Sequence, residues 1–549
     1  MKKIIIVGGV AGGATAAARL RRLNEDAEII LFERGEHISF ANCGLPYYIG
    51  ETIKQREKLL VQTVEGMTNR FQLDIRTQTE VVKINPIEKV IEAKNLKTGV
   101  KYVESYDTII LSPGASPIIP SFNGLEKANN VFTLRNIPDT DRIKSFVDTN
   151  KPQKATVVGG GFIGLEMAEN LVERGIEVTL VEMADQVMAP LDKEMAAIVH
   201  EHLFEHGIQL LLKDGVKAFH ENGQKIELNS GKIIGQDIVI LSIGVKPESK
   251  LAKEANIAVH ERGGILVNEY FETSQKDIYA IGDAIVINDY IAKEETFIPL
   301  AGPANRQGRM VANNILGKKE PYLGTLGSGI AKVFELSVAT TGLNEKVLQS
   351  KNKEYEVIHI HPASHATYYP GATPISLKVL YDKNTLNILG AQAVGKNGVD
   401  KRMDVIATAI RGNLSILELA ELELTYAPPF SSAKDPVNMV GYVASNIIDD
   451  EMETIQWYEV DELVNNGATL IDVREKEEFA NGAIEGAVNI SLTELRNKLP
   501  ELDSTRPVYV HCQVGLRGYL ACRILKNHGY QAINVDGGYK TYELAKRWK

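Results

Sequence analysis

Residues 4–13 of this chain read IIIVGGVAGG, and residues 155–164 read ATVVGGGFIG. In each stretch an apolar run predicts a buried strand, and the glycines that follow predict a tight turn ahead of a helix, over Ala14–Leu23 and Leu165–Arg174. Each unit continues into a second strand that ends in an acid, Glu33 or Glu182. A strand, a glycine-rich turn, a helix and an acid in this order predict a unit that binds a dinucleotide.

The glycines and the acid have separate roles in such a unit. Glycines let the backbone approach a pyrophosphate at the helix N-terminus, and the acid binds the ribose hydroxyls. The second copy matches G-x-G-x-x-G with Gly159, Gly161 and Gly164, whereas Val10 replaces the middle glycine of the first. No arginine follows Glu182 to accept a 2′-phosphate. We therefore expect NADH at the second unit, with NADPH as the less favoured alternative.

Length and composition narrow the possible classes of protein. A chain of 549 residues predicts roughly three or four domains, since single cores stop growing near about 250–300 residues. The net charge of −10 argues against nucleic acid or a membrane as a partner. Three cysteines are too few for a disulfide scaffold, and strand Lys3–Val7 begins at once, so we expect a cytoplasmic location. No metal site is expected.

Two further motifs accompany the glycine units, SFANCG over Ser39–Gly44 and IGD over Ile281–Asp283. With these motifs, residues 1–446 resemble the flavoprotein disulfide reductases that carry two dinucleotide-binding domains. The resemblance is to their single-cysteine branch, which contains coenzyme A disulfide reductases, NADH oxidases and NADH peroxidases. It implies FAD at the first unit, with Asp283 on the ribityl chain, and NAD(P)H at the second. The implied cofactor contacts are Gly8, Gly9, Gly13, Glu33, Arg34, Ser112, Gly114, Gly159, Gly161, Gly164, Glu182, Gly282 and Asp283.

The same resemblance implies the arrangement of domains and a homodimer. The fold class is α/β, with two nested Rossmann-like dinucleotide-binding domains, an α+β dimerisation domain and a further α/β domain at the C-terminus. The expected boundaries are 1–114 with 245–325 for the FAD-binding domain, 115–244 for the NAD-binding domain, 326–446 for the dimerisation domain, 447–453 for an acidic linker and 454–549 for the last domain.

Cys43 is the expected catalytic residue of the first part of the chain. Leu45 and Pro46 occupy the places where a second cysteine of a C-x-x-C pair would stand. An oxidised Cys43 must therefore be resolved by a thiol that leaves the substrate or by the reduced flavin. Peroxidases of this branch use a histidine in the first glycine loop, where this chain has Val10 and Ala11. Peroxide or oxygen chemistry would thus lack its proton donor.

The resemblance to coenzyme A disulfide reductases also implies a substrate site. Arg19 and Arg22 lie one helical turn apart, and guanidinium groups suit the phosphates of coenzyme A. Two tyrosines, Tyr368 and Tyr426, are implied to reach towards the partner's Cys43 region and to assist a departing thiolate. The implied coenzyme A contacts are Thr15, Arg19, Arg22, Ser39, Asn42, Asn305 and Lys434.

The last 97 or so residues resemble a single rhodanese domain. The run DVRE over Asp472–Glu475, a cysteine loop and DGG over Asp536–Gly538 occur in the order of that family. Ala483 and Glu485 depart from it, because histidine and proline are more usual there. The departure does not touch the cysteine loop.

The loop from Cys512 to Arg517 predicts a catalytic site for sulfane sulfur. Only four residues separate the two, and Gly515 and Gly518 permit a tight turn ahead of a helix. Successive backbone amides around the sulfur would hold a persulfide anion. Related phosphatase loops contain one residue more, so the shorter loop favours sulfur over phosphate. Cys522 is interpreted as part of a helix core.

Three hypotheses about function remain at this point. The favoured one is an FAD enzyme that uses NADH to cleave the S–S bond of coenzyme A disulfide, coenzyme A persulfide or polysulfide at Cys43. In the second, Cys512 carries persulfide to a partner protein and the reductase only recycles it. The third is a water-forming NADH oxidase. The sequence leaves open which sulfur compound is the substrate, whether coenzyme A is substrate or bound cofactor, and whether Cys512 feeds Cys43 of the same subunit.

Overall fold

The computed structural model describes residues 2–548. These residues form two compact units. The first contains the residues up to Met183 together with Leu211–Gly327, and the second contains Ala184–Leu210 and the residues from Ser328 onward. Among the described residues, none of the helices combines the length and the hydrophobicity needed to span a bilayer.

The first unit contains two parallel sheets of Rossmann type. In the first sheet, strand Lys3–Val7 lies between Glu28–Phe32 and Thr108–Leu111, and Ile278–Ala280 and Asp74–Arg76 form the edges. Ile4, Ile5 and Ile6 are fully buried, which is typical of a parallel strand covered on both faces. Four of the five strands of the second sheet lie in the order Glu177–Val181, Lys154–Val158, Ile238–Leu241 and Val131–Phe132.

Both helices that follow the glycine turns begin earlier than the sequence predicts. They span Ala11–Leu23 and Phe162–Glu173, so the last glycines of each motif lie in the first helical turn. A Cβ on Gly13 would lie 1.8 Å from the carbonyl oxygen of Gly8. Glycine therefore allows the helix to start directly against the turn.

Smaller elements complete the first unit. Strands Ala115–Pro117 and Val245–Pro247 pair where the chain enters and leaves the second sheet's region. The antiparallel strands are Thr79–Asn85, Val90–Asn95, Lys101–Ser105, Val216–His220, Lys225–Leu228, Ile233–Gly235, Ile287–Asn288 and Glu295–Thr296, and Gln209–Leu211 falls at the boundary of the units. The remaining α-helices are Leu45–Ile49, Val64–Phe71, Ile137–Asn150, Lys250–Glu254 and Ala301–Ile315, and the 3-10 turns are Asn42–Gly44, Arg56–Leu59, Leu125–Lys127, Glu221–Gly223 and Gly282–Ala284.

The second unit contains one antiparallel and one parallel sheet. The antiparallel sheet has the order Gly329–Val333, Leu336–Gly342, Ile388–Gly395, Ile375–Asp382 and Tyr355–Ile360. The parallel sheet has the order Glu453–Ile455, Ala532–Val535, Val508–His511, Thr469–Asp472 and Val488–Asn489. The helices are Lys193–Glu205, Glu345–Ser350, Val399–Arg411, Pro436–Ile448, Val460–Asn465, Lys476–Ala480, Leu495–Lys498, Leu516–Asn527 and Gly538–Arg547, with 3-10 turns at Leu417–Glu421 and Leu499–Glu501.

The connector before the parallel sheet is shorter than the expected linker 447–453. Helix Pro436–Ile448 continues through its first two residues, and Glu453 already pairs with Ile533 in the parallel sheet. Residues 449–452 alone lie between these elements. The apolar residues 447 and 448 continue the helix. Glu453 belongs to a strand because it pairs with a distant residue, and local composition does not show such pairing. The other domain boundaries stay predictions.

Candidate active sites

The first glycine turn forms a cradle that a side chain would fill. Gly8 has φ +101°, and a Cβ there would lie 2.1 Å from the carbonyl oxygen of Ser112. Glu33, at the end of the neighbouring strand, accepts a hydrogen bond of 2.8 Å from Gly9 N. Helix Ala11–Leu23 has no side-chain cap, so its first amides remain available to an anion. These features fit the pyrophosphate and ribose of FAD.

The second turn repeats this geometry. Gly159 has φ +105°, and Glu182 accepts a hydrogen bond of 2.7 Å from Gly160 N. A Cβ on Gly164 would lie 1.9 Å from the carbonyl oxygen of Gly159, whereas a Cβ on Gly161 would meet nothing within 4 Å. The backbone is therefore tightly packed at Gly159 and Gly164, whereas the space beside Gly161 is open. This open space fits the pyrophosphate of a second dinucleotide.

Four other predicted flavin contacts lie just after the ends of strands in the same unit. Gly282 has φ +78°, and its amide donates to Gln307 Oε1 at 2.7 Å. Burial raises the pKa of the adjacent Asp283. Gly114 has φ +73° and its carbonyl accepts a hydrogen bond from the Glu248 amide, while Arg34 pairs with the Glu248 carboxylate at 3.1 Å.

Cys43 lies in the 3-10 turn Asn42–Gly44, directly before helix Leu45–Ile49. The residue is exposed. Desolvation of the sulfur, followed by the carboxylate of Glu166, raises the pKa of its thiol. The structure thus places an isolated cysteine in the unit that holds both glycine turns.

Glu166 is a residue that sequence reasoning missed. It lies in the first turns of helix Phe162–Glu173, directly after the second glycine motif, and accepts a hydrogen bond of 3.4 Å from the Tyr47 hydroxyl. Burial raises its pKa to about 7. A group that titrates near neutral pH and influences a cysteine is typical of a functional site. Its position one residue after Leu165 carries no motif that would have revealed this.

Several predicted coenzyme A contacts meet between two helices of the first unit. Thr15 Oγ1 donates to Asn305 Oδ1 at 2.6 Å, and Arg19 Nε donates to Asn313 Oδ1 at 3.0 Å. Arg22 is exposed on the same helix as Thr15 and Arg19. Near Cys43, Asn42 donates to the Arg135 carbonyl, and Ser39 adopts φ +46°. Lys434 belongs to the second unit and is exposed.

Tyr368 and Tyr426 form an exposed pair in the second unit. Their hydroxyl oxygens lie 2.7 Å apart, and the two residues are 74% and 47% exposed. The hydrogen bond between the two hydroxyls raises the pKa of Tyr368. Two large aromatic residues held together at the surface are suited to contact another molecule.

Cys512 lies at the base of a backbone cradle. Its side chain is fully buried, and its sulfur accepts a hydrogen bond of 3.1 Å from Gly515 N, whose φ is +105°. The Cys512 carbonyl accepts a hydrogen bond of 2.7 Å from Tyr539 N. A Cβ on Gly538 would lie 2.5 Å from that carbonyl oxygen. The DGG segment thus closes one side of the cysteine loop.

Arg517 is held by a carboxylate that sequence reasoning also missed. Its two terminal nitrogens bind both oxygens of Glu478 at 2.6 and 2.7 Å, and this lowers the pKa of Glu478 to about 2. Arg474 is fixed similarly by Asp472 and donates to Gln513 in the cysteine loop. Glu475 and Glu478, three residues apart, form the capping box of helix Lys476–Ala480. This spacing was the only feature of the sequence that could have pointed to Glu478.

Two dinucleotide-binding turns beside a lone cysteine define a flavoprotein oxidoreductase that uses FAD and NAD(P)H. The chain belongs to the pyridine nucleotide-disulphide oxidoreductase family, whose model matches residues 2–308. The dimerisation domain of the same family matches residues 329–436, and a rhodanese-like domain matches residues 456–545. The predicted fold class is confirmed.

Individual relatives agree with this assignment. The chain is 40% identical to the coenzyme A disulfide reductase of Staphylococcus aureus strain JH9, over 81% of this chain and 100% of the relative. The structure of reduced Bacillus anthracis CoADR-RHD is 60% identical, with a TM-score of 0.99, over 100% of this chain and 98% of that one. A NAD-dependent persulfide reductase from A. fulgidus is 34% identical, with a TM-score of 0.92, over 98% of this chain and 100% of that one.

Proposed function

We propose that this chain uses NADH to reduce the S–S bond of coenzyme A disulfide, coenzyme A persulfide or polysulfide. The observation that carries the proposal is the isolated Cys43 in the unit with both dinucleotide turns, on a chain that also cradles Cys512. The sulfur substrates in the names of the relatives support the same class. NADH is favoured over NADPH because Glu182 is aimed at the second turn, where a 2′-phosphate would be repelled.

Cys43 would act as the nucleophile. Its thiolate attacks one sulfur of the substrate, a new S–S bond to Cys43 forms, and the other sulfur leaves as a thiolate or as hydrosulfide. FAD, when bound, supplies the two electrons from NADH that reduce the new bond. Since Leu45 and Pro46 follow in place of a second cysteine, no dithiol can form there. Glu166 is suited to hold or release a proton near Cys43 because its pKa is about 7.

Coenzyme A would be held by the first helix and its neighbours. Arg19 and Arg22 offer guanidinium groups to the phosphates, and Thr15 and Asn305 lie beside them. The exposed pair Tyr368 and Tyr426 would reach the Cys43 region of the partner subunit in a homodimer and assist the departing thiolate. Lys434 would add a positive charge to the coenzyme A site. These assignments rest on the family resemblance together with the exposure and the contacts described above.

The Cys512 loop would take sulfane sulfur from a donor and pass it to the thiol of coenzyme A. The pantetheine arm, about 15–20 Å when extended, would then present the persulfide to Cys43. Covalent fusion supports this transfer by raising the effective concentration to roughly millimolar for short linkers.

The decisive experiment measures NADH oxidation under anaerobic conditions with each of the three sulfur substrates. We expect rapid turnover with at least one of them and slower turnover with NADPH. A parallel assay in air, without a sulfur substrate, tests the oxidase hypothesis, which fast oxygen-dependent NADH loss would favour. Sulfur transfer to an acceptor protein without matching NADH turnover would favour the carrier hypothesis.

A further inference from the structure

Two histidines and a glutamate converge in the second unit. His202 and His206 lie four residues apart at the end of helix Lys193–Glu205, so their rings share one face. Glu335 Oε2 lies 3.0 Å from His202 Nε2 and 3.1 Å from His206 Nε2. The three candidate ligand atoms all lie within 4.8 Å of one another. This arrangement matches the helical histidine pair of many zinc sites.

The other nitrogen of each ring already has a partner. His206 Nδ1 lies 2.9 Å from the His202 carbonyl oxygen, and His202 Nδ1 lies 3.4 Å from Glu205 Oε2. An acceptor beside Nδ1 keeps the proton on that nitrogen and leaves the lone pair on Nε2. Histidines that bind metals are oriented by such contacts.

His202 Nε2 has no hydrogen bond of its own. The atom is buried without a hydrogen-bond partner, although Glu335 lies close by, and only 9% of the side chain is exposed. A buried acceptor without a donor is costly unless something occupies the site.

The turn that carries Glu335 is held in an unfavourable conformation. Phe334 adopts φ +52°, a region that aromatic residues rarely enter. Its ring stacks on His206 with centroids 3.9 Å apart and an interplanar angle of 13°. The Phe334–Glu335 turn joins Val333 to Leu336, so the stacked ring fixes the carboxylate opposite the histidines.

We propose that His202, His206 and Glu335 bind a zinc ion that joins the end of this helix to the hairpin turn. Two imidazole nitrogens and a carboxylate oxygen suit Zn²⁺ better than Mg²⁺ or Ca²⁺, which prefer all-oxygen sites. Three protein ligands leave the fourth tetrahedral position for water. The competing explanation is an ion cluster that only caps the C-terminus of the helix.

The test uses the full chain with FAD bound, without a histidine tag, after treatment with a chelator. Because thiolates also bind zinc, Cys43 and Cys512 are both replaced by serine in this background. Calorimetric titration with Zn²⁺ should detect one strong site per chain. Glu335→Gln and His206→Gln should each weaken it by roughly tenfold or more, since even outer contacts of metal sites cost about 10–100-fold.

His220→Gln is the matched control, because His220 also pairs with a glutamate, Glu227, but has no second histidine beside it. Its zinc affinity should equal that of the parent. At the same zinc concentration, zinc should also raise the melting temperature of the parent more than that of Glu335→Gln, an exposed position. Equal zinc affinity in the parent and in Glu335→Gln, or an equal loss in His220→Gln, would overturn the proposal.

Discussion

His359 and Asp536 form a buried ion pair in the second unit. His359 Nδ1 lies 2.7 Å from Asp536 Oδ2, and the backbone amide of His359 also donates to that carboxylate. Asp536 begins the DGG segment, and Tyr539, just beyond it, donates its amide to the Cys512 carbonyl. Strand Tyr355–Ile360 of the antiparallel sheet thereby fixes the DGG segment, which closes one side of the Cys512 loop.

The pair is part of a larger buried ionic network. On its other side, His359 Nε2 lies 3.1 Å from Glu194 Oε1, and Glu194 also binds Lys378. Lys378 further contacts Asp192 and Glu345. The ammonium group thus occupies the space between the three carboxylates that a metal ion would need. Although burial opposes it, these carboxylates raise the pKa of Lys378.

Replacing His359 by glutamine should destabilise the second unit. Removing one partner of a buried ion pair costs about 3–5 kcal/mol because the other charge is left uncompensated. Thermal unfolding would measure the effect, and sulfur transfer at Cys512 should fall with it. His528→Gln, at an exposed position, is the control. A melting temperature equal to that of the control would contradict the prediction.

The stability that His359 contributes should depend on pH. Burial by itself disfavours the imidazolium, but Asp536 and Glu194 raise the pKa of His359 to about 9. Because this lies above the unfolded value of about 6.5, the stabilisation is complete below about pH 6.5 and is lost as the pH rises through about 9. The difference in melting temperature between wild type and His359→Gln should shrink between about pH 7 and about pH 10. A constant difference would exclude titration of this residue.

Glu166→Gln should lower the pKa of the Cys43 thiol. The carboxylate of Glu166 contributes to the raised pKa of Cys43, and the amide removes that charge. The rate of alkylation of Cys43 as a function of pH gives the measurement. Glu173→Gln, at an exposed position on the same helix, should leave the profile unchanged. A shift of equal size in both variants would mean that Glu166 has no specific influence.

Cys43→Ser should abolish NADH-dependent reduction of every disulfide or persulfide while FAD stays bound. The flavin contacts lie in other residues, and no neighbouring cysteine can replace the thiol. Stopped-flow oxidation of NADH and the flavin absorbance together test both parts. The control is Cys522→Ala, which removes a thiol buried in a helix. Substantial turnover in Cys43→Ser would disprove the single-cysteine mechanism.

Cys512→Ser should distinguish the roles of the two cysteine sites. With a sulfur donor too bulky for the Cys43 site, NADH turnover should be lost, because Cys512 can no longer accept the sulfur. With preformed coenzyme A persulfide, turnover should be retained. Steady-state rates on both donors provide the comparison, and equal rates for wild type and variant on both would show that the rhodanese-like domain does not feed Cys43.

The sequence by itself determined the class of fold, and it predicted the two cysteine sites. The glycine turns, Glu33 and Glu182 are local signals, because a pyrophosphate needs a close backbone and a ribose needs an acid at a strand end. Cys43 and the Cys512–Arg517 loop could be predicted as sites because the expected chemistry of each depends on neighbours within a few residues.

The tertiary structure alone decided which distant residues meet. Three such contacts join residues that are far apart in the chain: His359 with Asp536, Arg517 with Glu478, and Glu335 with the two histidines. No sequence motif predicts any of these contacts. Histidines at 202 and 206 show helical spacing in the sequence, but the third group is placed by a hairpin turn. Burial then sets the charge of these groups, since desolvation and partner charges depend on packing rather than on local sequence.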